Sequence, residues 1–218
     1  MDGRPGGSAL TRMIASGHGG SSHAAQAAPR NLGTRIHVTG NSCSGKSALA
    51  SRLSQALGLP LVELDALNWL PGWVGLNATD PVLFERRIRE ATAGDAWIVA
   101  GSYIGFSQRA FWPRLQTVIW LDLPLPTLIR RVIRRSWRRW RTKELLWETN
   151  HERFWPQLMI WRKEDSLIWW IVTQQGRKRR QMEGFMADAA WSHVQFLRLT
   201  SARQVDEFAA RAVVPEAA

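Results

Sequence analysis

Gly40-Asn41-Ser42-Cys43-Ser44-Gly45-Lys46-Ser47 is the stretch that decides how the rest of the chain is read. It fits G-x-x-x-x-G-K-S at every fixed position, a match that arises by accident in roughly one chain in a hundred of this length. A short β-rich run, Arg35 to Thr39, precedes it. Lys46 to Leu57 follows with apolar residues at Leu49, Leu53, Ala56 and Leu57, a helical spacing closed by Gly58 and Pro60. Strand, glycine-bearing turn and helix in that order is the setting in which this pattern cradles phosphate. The glycines let successive N–H groups aim inward, and the helix N-terminus adds its positive end. Lys46 is then expected to reach the β- and γ-phosphates and the Ser47 hydroxyl to ligate Mg²⁺. The eight loop residues and Ala48 after them are the expected ATP contacts.

The alternation continues outward. Leu61 to Leu64 reads as a second strand ending at Asp65, and Asp80 as the cap of a helix that has Pro81 at its first position. Ala96 to Ala100 and Thr117 to Leu121 are near-continuous apolar runs, as parallel strands covered on both faces should be. Val194 to Leu199 reads as a last strand and Ala202 to Ala212 as a terminal helix. Strands alternating with helices predict an α/β sheet, mostly parallel. Between Thr127 and Trp140, Leu128, Val132, Ile133, Trp137 and Trp140 are expected to form an apolar stripe opposite a nearly all-arginine face. Residues 1–34 are half Gly, Ser and Ala, carry no apolar h-region, and read as a disordered extension ahead of a domain spanning 35–218.

Composition narrows the function. A hydrophobic fraction of 45% suffices for a core and excludes wholesale disorder. The single cysteine, Cys43, excludes a disulfide framework and fits a reducing, cytoplasmic setting; within the loop it reads as a small filler. The longest apolar run, Leu167 to Val172, is far short of the ~20 residues a bilayer span requires. Lys+Arg 29 against Asp+Glu 18 gives +11, and residues 130–180 hold 15 basic and 5 acidic groups together with seven of the 13 tryptophans. Whatever anion the protein handles, that segment is expected to meet it. Arginine can neutralise phosphates while aromatic rings stack on exposed bases, so a nucleic-acid-associated ATPase is the alternative to an enzyme.

Acids near the loop are few. Glu63 and Asp65 are two apart at a strand end and are expected on one side, facing the crevice where the phosphate loop opens. Asp65 reads either as general base or Mg²⁺-water holder, or as a turn residue. Asp122, after Val118-Ile119-Trp120-Leu121, reads either as a second metal-organising acid or as a turn former before Pro124. The five histidines have no metal-ligand spacing.

Taken in order, the loop, the run Val62-Glu63-Leu64-Asp65, the Trp-rich loop to Trp73, Val99-Ala100-Gly101-Ser102-Tyr103 and Trp120-Leu121-Asp122-Leu123-Pro124 resemble one group. It is the bacterial adenylate-kinase-related P-loop proteins often labelled DNA topology modulation proteins, and the likeness covers about residues 35–200. The resemblance implies a P-loop NTPase fold of the nucleoside-monophosphate-kinase kind, with a five-stranded mostly parallel sheet flanked by helices. It also implies a helical lid rich in Arg and Trp at about 127–150. It places Arg131 and Arg135 on nucleotide base and phosphate, and Arg138 and Arg141 as lid arginines closing on the transferred group. Where the related kinases carry Asp-Gly after the third strand, this chain has Ala100-Gly101. The expected activity is phosphoryl transfer from ATP to a small anionic or hydroxyl-bearing acceptor. That acceptor would lie between Asp65 and the Asp80–Ala93 helix, where Arg86 or Arg89 holds an anionic group.

Overall fold

The structure is a computed structural model that describes residues 31–142, 145, 146, 150, 151 and 166–213. Five strands make its main sheet: β1 (Arg35–Gly40), β2 (Leu61–Glu63), β3 (Trp97–Ala100), β4 (Thr117–Leu121) and β5 (Gln195–Leu199). All neighbours run parallel, in the order β2-β3-β1-β4-β5. The longer helices are α1 (Lys46–Leu57), α2 (Pro81–Ala91), α3 (Ile104–Ala110), α4 (Leu125–Thr142), α5 (Leu167–Ala187) and α6 (Ala202–Val213).

The apolar runs explain the layering. Because successive strand residues point to opposite faces, each run feeds two cores at once. Ile36, Val38, Ile98, Ile119 and Leu121 join Leu49, Leu53, Leu128, Val132, Ile171 and Phe208 on one face. Trp97, Val99, Val118 and Trp120 join Phe84, Ile88, Phe111, Trp112 and Met182 on the other. Burying each such side chain contributes about 1.5–3 kcal/mol, which the alternating pattern gains on both faces. Asp80 caps α2 as its sequence predicts, its Oδ1 accepting from the Leu83 N–H at 2.9 Å.

Three expectations are corrected. β2 ends at Glu63, and Leu64–Asn68 is a helical turn, so Asp65 lies past the strand in the first turn of a helix. Glu63 and Asp65 are therefore not a strand pair on one side. The buried stripe of α4 is Leu128, Val132 and Ser136, four apart, whereas Ile133, Trp137 and Trp140 are 45–49% exposed. The expected stripe merged two neighbouring faces, because Ile133, Trp137 and Trp140 follow the buried positions Val132 and Ser136 by one residue or a full turn and so lie beside them, on the exposed flank. Finally, residues 31–34 are not part of a free extension. Leu32 packs on the first core, its carbonyl accepts from Thr117 Oγ1 at 2.6 Å, and the Thr34 N–H donates to Gln116 Oε1 at 2.8 Å. Residues 1–30, the rest of that expected extension, lie outside the described residues.

Candidate active site

The loop between β1 and α1 is bent into shape by its own residues. Gly40, at φ +152°, lies so close to β4 that a Cβ there would stand 2.7 Å from the Leu121 carbonyl oxygen. Gly45 and Cys43 both have positive φ, +97° and +59°, and a non-glycine residue held there is a conformation that ligand clamps often store. The Cys43 side chain packs against the first core, in keeping with its reading as filler. Two flanking elements brace the turn. Arg131 Nη1 from α4 donates to the Ser44 carbonyl at 2.7 Å. From α5, Gln175 Oε1 and the Ile171 carbonyl accept from Asn41 Nδ2 at 2.8 and 3.1 Å.

Lys46 folds back across this turn, its Nζ donating to the Asn41 carbonyl at 3.1 Å. Burial lowers its pKa; the charges of Asp65 and Glu63 oppose the shift, and that of Arg135 adds to it. A glycine-bearing turn, a lysine curled over it and a helix N-terminus at the carboxyl edge of a parallel sheet decide the fold type. It is the P-loop NTPase fold.

No protein-family model matches the chain, and no curated protein matches it. Among solved structures, a gluconokinase from Sinorhizobium meliloti is similar at 18% identity, over 84% of this chain and 91% of that one, with a TM-score of 0.48. A shikimate kinase from Acinetobacter baumannii in complex with shikimate is similar at 15% identity, over 82% and 90%, with a TM-score of 0.49. A sugar kinase from Janibacter is similar at 17%, over 83% and 92%, at 0.47. At these values the likenesses carry no argument about what this chain acts on.

Acids complete the site. Ser47 Oγ donates to Glu63 Oε2 at 2.9 Å. Glu63 is the register partner of Ala100, so its carboxylate stands one strand over from the end of β3. Ala100 itself is a core methyl, and Leu64 packs so tightly on Gly101 that a Cβ there would stand 2.6 Å from it. Burial raises the Glu63 pKa, with the Ser47 hydrogen bond acting against it. Asp65 Oδ1 accepts from the Tyr103 hydroxyl at 2.9 Å. Burial, reinforced by the Asp65 charge, pushes the Tyr103 phenol up, which keeps it a donor.

Asp122 is a different matter. Only 4% exposed, it accepts from Arg179 on Oδ1 at 2.9 and 3.1 Å and from Arg198 on Oδ2 at 2.6 and 3.0 Å. Both carboxylate oxygens are committed to guanidinium groups, so the geometry removes Asp122 from the metal-organising set and makes it a tie between β4, α5 and β5. Arg86 and Arg89, the expected anion holders, already face acids of their own helix. Both are exposed, Arg86 lying 3.8 Å from Glu90, while Arg89 and Arg109 pair with Glu85 at 2.8 and 2.7 Å. Arg138 and Arg141 are exposed on the last turns of α4, about 10 and 15 Å farther along its axis than Arg131. Of the expected lid beyond Thr142, the described part is the antiparallel pair Leu145–Leu146 and Asn150–His151; the remainder of 143–150 lies outside the described residues.

Sequence reasoning missed four participants. Glu63 was legible as half of a pair but not as the partner of Ser47. Tyr103 closes a run that the resemblance includes but with no role for its hydroxyl, and Gln175 and Lys178 come from a helix with no motif; only the fold brings Tyr103 to Asp65 and the other two beside Gly40 and Asn41.

Proposed function

We propose that the protein is an ATP-dependent phosphotransferase that moves the γ-phosphoryl group to a hydroxyl of a small acceptor. The observation that carries this reading is the juxtaposition of an oriented carboxylate, Asp65 held by Tyr103, with the lysine of a phosphate loop whose electrostatics it perturbs. The loop N–H groups and Lys46 bind the polyphosphate, with Ala48 in the first turn of α1, and Arg131 and Arg135 flank the nucleotide. Arg138 and Arg141 would act on the transferred group only with the α4 end brought over the site. Asp65 takes the acceptor proton as its oxygen bonds to γ-phosphorus and the bond to ADP breaks. Ser47, Glu63 and Asp65 offer the hard oxygen donors that Mg²⁺ prefers, which fits an ion that keeps most of its waters and is shared with phosphate. That ion would neutralise charge on the β- and γ-oxygens.

A coupled ADP-release assay with MgATP against nucleotides, hydroxy acids and sugars tests the reading. Acceptor-stimulated turnover is expected, lost in both Lys46→Ala and Asp65→Asn, with ATP affinity nearly intact in the latter. Turnover stimulated by DNA alone would reassign the protein to the nucleic-acid class.

A further inference from the structure

Two rows of side chains run side by side along the outer flank of α4. Pro126, Ile129, Ile133, Trp137 and Trp140 follow one another at intervals of three and four, so they share one side of the helix for about 20 Å. Ile133, Trp137 and Trp140 are each nearly half exposed, and the Trp137 and Trp140 ring centroids lie 5.3 Å apart. Arg130, Arg134, Arg138 and Arg141 come one residue later at each step, all of them exposed, and border the apolar row with a cationic one. Leu125–Thr142 contains no Asp or Glu, so no acid of α4 itself offsets this charge.

This flank is not the one that meets the phosphate loop. Arg131, across the helix from the apolar row, donates to the Ser44 carbonyl at 2.7 Å, while Leu128, Val132 and Ser136 face the core. The open groove over the flank is lined by Pro126, Ile129, Arg130, Ile133, Arg134 and Trp137, so among the described residues α4 alone supplies its wall. A partner seated there leaves the loop and Arg131 in place.

The chemistry of the two rows selects the partner. Ile129, Ile133 and Pro126 gain from hydrocarbon, and an apolar row of this length facing water marks a contact surface. The arginines gain from phosphate or carboxylate. A nucleic acid offers phosphates and stacking faces but no hydrocarbon for the isoleucine half of the row. A second copy of the chain would bring the same arginines against these and repel. A peptide helix is gripped in a groove between elements, whereas this face is one helix. An anionic bilayer surface supplies both needs at the right depths, with lipid phosphates at the level of the arginines, acyl chains beneath the isoleucines and a boundary where tryptophan rings settle. No described helix is long and apolar enough to cross a membrane, so α4 would lie in the plane of that surface.

We propose that α4 docks the protein on an anionic bilayer surface, with Ile129, Ile133 and Trp137 at the acyl boundary and Arg130 and Arg134 on lipid phosphates. The docking does not depend on phosphoryl transfer, because the loop lies across the helix from it.

The test sediments the full chain with vesicles of phosphatidylcholine alone and with vesicles in which ~30% of that lipid is replaced by phosphatidylglycerol. The chain is expected to bind the anionic vesicles at least tenfold more tightly than the neutral ones, and less tightly as salt is raised. Ile133→Ser with Trp137→Ser should weaken this binding at least tenfold, and so should Arg130→Gln with Arg134→Gln. Thermal unfolding followed by circular dichroism checks that each pair folds, and if the serine pair does not, the glutamine pair decides. A wild type that does not pellet with the anionic vesicles overturns the proposal. Binding that a folded pair leaves unaltered overturns it too, since adsorption by net charge alone would not need this face. Duplex DNA bound through Arg130 and Arg134 by a chain that ignores the vesicles would assign the face to nucleic acid. A dimer dispersed by Ile133→Ser would assign it to a second copy, and either result overturns the proposal.

Discussion

His37 shows how a single side chain can set the pH response of the fold. It lies on β1, fully buried, its Nδ1 accepting from Trp112 Nε1 at 3.2 Å and its Nε2 3.2 Å from the Gly101 carbonyl, which fixes the neutral Nε2–H form. Burial lowers its pKa to about 4. The unfolded chain binds the proton near pH 6.5 and the folded one does not, so stability from this residue is present above pH 6.5 and lost on descent to pH 4. The loss amounts to about 3 kcal/mol. Urea unfolding between pH 7.5 and 4.5 should show it, and His37→Gln, which keeps one acceptor and one donor, should flatten the slope. Glu63 offers a second test at the same scale. If its carboxylate helps hold the ion at Ser47, Glu63→Gln should raise the Mg²⁺ concentration for half-maximal turnover by about tenfold, on the order of 1.4 kcal/mol, while metal-free ADP binding stays unchanged. An unaltered Mg²⁺ dependence would leave Glu63 a structural partner of Ser47 only.

Elements differ in how much of them the chain declares locally. β1, the phosphate loop and α1 were legible because phosphate binding demands particular residue types at fixed spacing, and β3 and β4 because strands covered on both faces must be apolar throughout. Asp65 was misplaced by one element, since Leu64 continues the apolar strand run in composition while its backbone has already turned helical. Lys178 and Gln175 were illegible, because nothing on α5 itself says which of its faces meets the loop. Leu32 was hidden for another reason: a lone leucine in a Gly- and Ser-rich stretch carries no periodicity. Its burial gives a prediction. Removing residues 1–33 deletes the Leu32 packing and the hydrogen bond to Thr117, about 1–2 kcal/mol together, and should lower Tm by about 2–6 °C. Scanning calorimetry against a truncation that begins at Asn31, and so keeps the Leu32 packing and the Thr117 hydrogen bond, isolates their contribution.

At the scale of the molecule, Asp122 links three elements that are distant in sequence. Asp122→Asn should cost about 2–3 kcal/mol, toward the low end for a buried ion pair. Arg179 reaches water, and Arg198 keeps Glu183 at 3.1 Å and the Trp120 ring at 4.4 Å. A chemical-denaturation midpoint unchanged from wild type would show that the tie contributes no net stability. The same tie touches the phosphate loop, because Gln175 contacts Asp122 and the Leu123 carbonyl with one end of its amide and Asn41 with the other. Local opening of α5 should therefore fray the Gly40–Ser47 loop, and any ligand that binds the loop would raise the free energy of that opening by mass action. In amide hydrogen-exchange measurements, saturating nucleotide should slow exchange along Ile171–Arg179, and Gln175→Ala should abolish that slowing while sparing the slowing along α1.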